Sequence, residues 1–140
     1  MSARTELNSD SVPGPRGHFV HAVRAGDVIY VSGLLALDGD GQIVAPGDAR
    51  RQAEMIFNSL SSILAAAGGS LEGLVKLTTY VTDITDRSII NEVRRAVLPN
   101  TRPASTLVEV SGLAGEGACV EIDAVALLDA NGYDPSLVGA

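Results

Sequence analysis

The sequence predicts an α+β fold in one domain, a mixed sheet of about six strands with two helices on one face. Three observations predict it. Two segments, residues 48–69 and 84–99, repeat apolar residues at helical spacing. The remaining apolar residues fall in short alternating runs bounded by Gly, Asp or Pro, the pattern of half-buried strands. The resulting order, β-β-β-α-β-α-β-β, fills 140 residues with no repeat and no internal linker, which leaves room for one core. Helices on one face leave the other bare, and the simplest cover for it is another copy of the chain.

Taken in order, residues 1–15 are polar and carry Pro13 and Pro15, so they read as a flexible N-terminal arm. The single domain then runs over 16–128, with a polar tail at 129–140. "HFVHAVRAGDVIYVSG" (18–33) holds two strand-like runs about the turn Ala25-Gly26-Asp27. "LDGDGQIV" is a second turn followed by a short strand. Asp38 and Asp40 hint at a calcium loop, but the bidentate Glu is missing at the required spacing, so no metal is expected. In the first helix Ala53, Ile56, Phe57, Leu60, Ile63, Leu64 and Ala67 share one face. Asp48 is its candidate N-cap and Gly68-Gly69 its stop. "LVKLTTYVTD" is a strand with Val75, Leu77, Thr79 and Val81 on one face. The second helix carries Ile89, Ile90, Val93, Ala96 and Val97 and stops at Pro99. "STLVEV" and "ACVEIDAVALL" are the last two strands.

Composition excludes some functions. Ten basic against seventeen acidic residues give a net charge of −7, so the chain lacks the basic footprint of a nucleic-acid binder. No apolar run has the length of a membrane span. Cys119 is the only cysteine, so neither an internal disulfide nor a cysteine-based metal site can form, and it reads as a small buried hydrophobe in a strand. A lone thiol and an N-terminus without an apolar signal segment suit the cytoplasm. Trp is absent, which leaves the core to Val, Leu, Ile and Ala.

Four stretches carry a resemblance: "AGDVIYVSG" (25–33), "FNSLSSILAAAGGSLEGLVKLTTYVTDITD" (57–86), "RPASTLVEV" (102–110) and "VEIDAVAL" (120–127). In this order they resemble the YjgF/Rid family, the reactive intermediate deaminases, over roughly residues 16–128. "RGHFVHAVRAGD" looks most like the family's 2-aminomuconate deaminase branch. The resemblance implies a chorismate-mutase-like fold and a homotrimer with clefts between subunits. It implies hydrolysis of a small, carboxylate-bearing enamine or imine to a carbonyl compound and ammonia, with no cofactor.

The resemblance also implies site residues. Glu121 falls on the glutamate that positions or activates water. Phe19 falls on a first-strand aromatic, usually Tyr. Ser32 and Gly33 match a Ser-Gly whose polar groups hold substrate, and Asn91 matches an asparagine lining the cleft. Aligning Pro103-Ala104 and Val108-Glu109-Val110 without a gap puts Ser105 where the family's deaminases carry an arginine that grips the substrate carboxylate. A serine hydrogen-bonds a carboxylate but does not neutralise it. Two readings follow: a deaminase that holds its substrate with another group, or a non-deaminating relative that binds a metabolite or serves a partner enzyme. The family's endoribonuclease label implies a third, against which the −7 charge weighs.

Other residues have two readings each. Arg102, three residues before Ser105, either substitutes for the missing guanidinium or is a solvated or interfacial arginine. Glu121 and Asp123 share a strand face; they are a solvated pair, or, if desolvated, one has a raised pKa. His18 and His21 fall on opposite faces of a strand, which rules out a shared metal there. His21 stands where the family has a polar cleft residue, so it is either a substrate contact or a structural histidine. Ser32 and Ser105 have no recognisable His-Asp partners, so a nucleophilic serine has little support.

Overall fold

The computed structural model describes residues 4–129. The tail beyond Asp129 lies outside the described residues. Six strands form one sheet: β1 (Arg4–Leu7), β2 (Ala22–Ala25), β3 (Val28–Leu34), β4 (Gly69–Val81), β5 (Ala104–Glu109) and β6 (Val120–Leu128). Their spatial order is β1-β2-β3-β6-β4-β5. All pairs are antiparallel except β4–β5, whose parallel crossover carries the second helix. The helices are α1 (Ala49–Ala67) and α2 (Arg87–Val97), with a short 3-10 turn at Ile84–Asp86 before α2.

The order of elements agrees with the sequence reading, but two strands are not where it put them. Residues 18–21 form no strand, so Phe19 and His21 stand in the irregular segment before β2. Residues 43–44 contribute only an isolated bridge, Leu37 to Ile43. The sixth strand instead comes from the segment read as a loose arm: Arg4–Leu7 adds to the β2 edge, which offers unpaired backbone groups to any chain that reaches it. A third difference lies in β4. The pairing with β6 slips between Leu74 and Lys76, so Leu74 turns into the core and Val75 outward. A bulge places two residues against one, which breaks strict alternation.

The α1 face is buried as its spacing dictates, with Ala53, Ile56, Phe57, Leu60, Ile63, Leu64 and Ala67 all in the core. Asp48 caps the helix by accepting from Arg51 N at 3.0 Å, and Gly68 ends it at φ 92°, a conformation glycine adopts without strain. Asp48→Ala is expected to lower stability by about 1 kcal/mol, read as a fall in the urea midpoint at unchanged slope. In α2 only Ile90 and Val93 are buried. An Arg50–Glu92 ion pair links α1 to α2 at the surface.

Gln52 is a buried polar exception. Its Nε2 donates to Ala45 O (2.9 Å) and Gly117 O (3.0 Å), and its Oε1 accepts from Cys119 N (2.8 Å). The carboxamide thus ties the start of α1 to the loop entering β6 and fixes where β6 begins. Cys119 is buried and free, just ahead of the strand, and burial pushes its thiol pKa up.

Candidate active site

Strand β6 lies between β3 and β4 and alternates cleanly. Val120, Ile122 and Ala124 enter the core, so Glu121 and Asp123 stand on the face away from the helices. The β3–β6 pairing slips between Val31 and Leu34, a bulge containing Ser32-Gly33. The bulge brings Gly33 against the Glu121 carboxyl: a Cβ there would sit 2.5 Å from Oε1. Only glycine leaves that carboxyl its place.

The Glu121 side chain is half-buried, and burial raises its pKa above the usual carboxylate range, with the charge of Asp123 adding to the shift. Asp123 is held by the Tyr80 hydroxyl, which donates to Oδ2 at 2.9 Å. That bond, then burial, raises the Tyr80 pKa in turn.

Glu121 lines a cleft of about 370 Å³ together with Phe19, His21, Gly33 and Arg16. Its wall is mostly apolar with few polar groups, the usual make-up of a small-molecule site. Phe19 is 52% exposed, a large ring with no core to fill. Arg16 lies over Gly41 and donates to Gly39 O at 3.1 Å.

His21 and Ser32 are spent on the scaffold. His21 is buried; its Nδ1 accepts from Ser9 N (3.0 Å) and its Nε2 donates to Pro13 O (2.9 Å). An amide and a carbonyl on the two nitrogens fix the neutral Nε2–H tautomer. The ring thereby pins residues 9–13 as a wall of the cleft. The Ser32 hydroxyl donates to Val20 O at 2.7 Å and its amide to His21 O at 3.0 Å, which anchors the segment carrying Phe19.

Asn91 and Ser105 are not in this cleft. They line a shallow depression with Arg87, Arg94, Ile84 and Leu107. There Arg94 Nη1 donates to Ser105 Oγ at 2.7 Å. Arg94 is half-buried, and burial lowers its pKa from the usual guanidinium value. Arg102 is exposed and lines the adjoining depression with Asn91, Arg94 and Arg95. Sequence reasoning missed Arg94. The available signal was its place on α2 one turn after Asn91, together with Arg87 one turn before: positions i, i+4 and i+7 of one stripe.

The two clusters lie on opposite sides of the sheet. Ser105 pairs with Leu77, whose side chain is in the core, so Ser105 points to the helix side. Glu121 pairs with Tyr80 and points to the open side. Among the described residues no three His, Cys, Asp or Glu side chains converge as metal ligands. No helix among them is long and apolar enough to cross a membrane.

A six-stranded mixed sheet, two helices and a carboxyl seated on a β-bulge glycine define a chorismate-mutase-like α+β protein of the Rid type. The family model described as Endoribonuclease L-PSP matches residues 9–128, and the chain belongs to this family, the YjgF/RidA family. A 3-aminoacrylate deaminase, RutC of Acinetobacter baylyi, is 36% identical over 84% of this chain and 92% of its own length. The 2-iminobutanoate/2-iminopropanoate deaminase of Rattus norvegicus is 30% identical over 89% of this chain and 90% of its own. Among solved structures, RidA from an Antarctic Psychrobacter superposes with a TM-score of 0.83 at 33% identity, covering 89% of this chain and 100% of that one.

Proposed function

We propose that this protein is a cofactor-independent hydrolase that converts a small, carboxylate-bearing enamine or imine to a carbonyl compound and ammonia. It works as a homotrimer in the cytoplasm, in clefts between subunits. The observation that carries this reading is the Glu121 carboxyl, half-buried against Gly33 with a raised pKa. A carboxyl so placed can take a proton from water and give it back. Relatives named as deaminases of 3-aminoacrylate and of 2-imino acids support the same chemistry.

The steps balance without a cofactor. An enamine takes a proton from solvent on carbon, or an imine takes one on nitrogen, to become the iminium ion. Water then adds to the C=N carbon as the Glu121 carboxylate removes one of its protons. The proton returns to nitrogen, the C–N bond breaks, ammonia leaves, and the hydroxyl loses its proton as the carbonyl forms. Phe19 packs on the substrate and Gly33 gives it a backbone amide. His21 and Ser32 hold the cleft wall rather than the substrate. Asn91 and Ser105 belong to the second depression and Arg102 to the one adjoining it, and they reach a substrate only from a neighbouring copy. The open sheet face, with Tyr30 and Val108 exposed, supports assembly, because a solvated face rarely carries such residues together.

Ser105 favours a second reading, a relative that binds a metabolite without turnover. One assay separates the two: ammonia release from 2-iminopropanoate, formed in place from alanine by an amino-acid oxidase. A deaminase exceeds the uncatalysed rate. A binder leaves that rate unchanged and is only stabilised thermally by the ligand.

A further inference from the structure

We infer that Arg94 is the carboxylate-binding residue of this site, its guanidinium oriented by Ser105 and presented to substrate lying at Glu121 of a neighbouring copy. The inference rests on the hydrolase reading above and names the group that selects its substrates.

Three observations carry it. First, Arg94 is a half-buried cation without an anion. It packs beside Ile84 and Leu107, and among the described residues it meets no carboxylate. Glu92, two residues earlier on α2, pairs with Arg50 instead. A cation held partly out of water is stabilised by a counter-ion, and this one is left for a ligand to supply. Second, its fork is oriented and still open. The Ser105 hydroxyl accepts one N–H at 2.7 Å. The remaining donors, in a fixed plane, match the two oxygens of a carboxylate. Ser105 is short, so the guanidinium approaches along the helix side of β5. Third, the neighbours fit the same ligand. Asn91 and Arg87 stand on the same α2 stripe and line the same depression. They add an amide and a second charge to the fork. Arg102 is exposed on the adjoining depression, and it is Arg94 that bonds Ser105.

Arg94 and Glu121 lie on opposite sides of one sheet, so a single copy does not present both to one small molecule. The Arg94 of one subunit therefore serves the Glu121 cleft of the next.

The test uses the full-length protein and pyruvate, the 2-oxo acid product of the simplest 2-imino acid. Pyruvamide, its neutral amide, is the control. Arg94→Gln keeps a donor for Ser105 and so guards against misfolding. It should weaken pyruvate binding about 10- to 100-fold, the range for a lost charge-assisted pair, and leave pyruvamide binding unchanged. KM for the imino acid should rise by a similar factor. Ser105→Arg in the Arg94→Gln background should restore pyruvate affinity by returning a guanidinium to the same place. Equal pyruvate affinity in wild type and Arg94→Gln overturns the inference, as does absence of pyruvate binding by wild type. Failure of the hydrolase reading shows differently: pyruvate binding that depends on Arg94, with no ammonia released by wild type.

Discussion

Glu121→Gln lowers the rate of ammonia release about 10²- to 10⁴-fold, the usual contribution of a positioned acid–base group, without weakening the fold at neutral pH. The two halves of this expectation have one cause. Burial, and then the charge of Asp123, raises the Glu121 pKa. The ionised form is thus less favourable in the folded chain than in the unfolded one. Linkage fixes the sign. A carboxyl with a raised folded-state pKa favours folding below its unfolded value, and that contribution is lost as pH rises through the folded value. As pH rises from acid the wild type loses it. The glutamine variant is therefore as stable as wild type, or more so, at neutral pH, and relatively less stable in acid. Thermal unfolding at pH 4 and pH 7 reads both directions. If the carboxylate removes water's proton, activity also rises with pH through that raised value. The acid limb of kcat/KM then lies above the usual carboxylate range. Asp123→Asn should move the limb only part of the way down, because burial is the larger cause.

Phe57→Ala produces the opposite pair of effects. Phe57 is 1% exposed in the middle of the α1 core face. Truncation leaves a cavity that packed neighbours do not close, at a cost of about 3–5 kcal/mol. That is a large share of the roughly 5–15 kcal/mol that stabilises an ordinary domain. Urea unfolding should show the midpoint falling at unchanged slope. Ammonia release per folded molecule, measured in the cold, should stay near the wild-type value, because Phe57 lines neither cleft. Unchanged stability in this variant would contradict the core described here.

How legible was this in the sequence? Helix α1 was fully so, because period, cap and stop agree: Asp48, the apolar face and Gly68 each say the same thing. The alternation of β6 was equally plain, and with it the side of the sheet that Glu121 takes. The edges were not. Residues 4–7 are a strand because β2 offers them an edge, and nothing in "RTEL" itself announces that. The segment 18–21 has strand composition, yet its polar groups go to Ser9, Pro13 and Ser32 in place of a ladder. Regular alternation puts Val75 on the same face as Leu77, and the bulge shifts the phase by one. In the candidate site, Ser105 signalled a missing guanidinium. Its replacement was illegible because it comes from α2, eleven residues earlier in the chain, and proximity in sequence pointed to Arg102.

The central claim is that one site draws on two copies: Glu121 from one and Arg94 from the next. Mixed trimers test it most directly. Glu121→Gln and Arg94→Gln are each expected to be impaired alone. Co-refolded at equal amounts, about a quarter of clefts regain both native residues if each cleft is shared by two subunits of a ring. The predicted result is activity in the mixture well above that of the two separate variants. Activity equal to their average, with trimers formed, would mean that both residues serve the same cleft from one chain, or that Arg94 serves none.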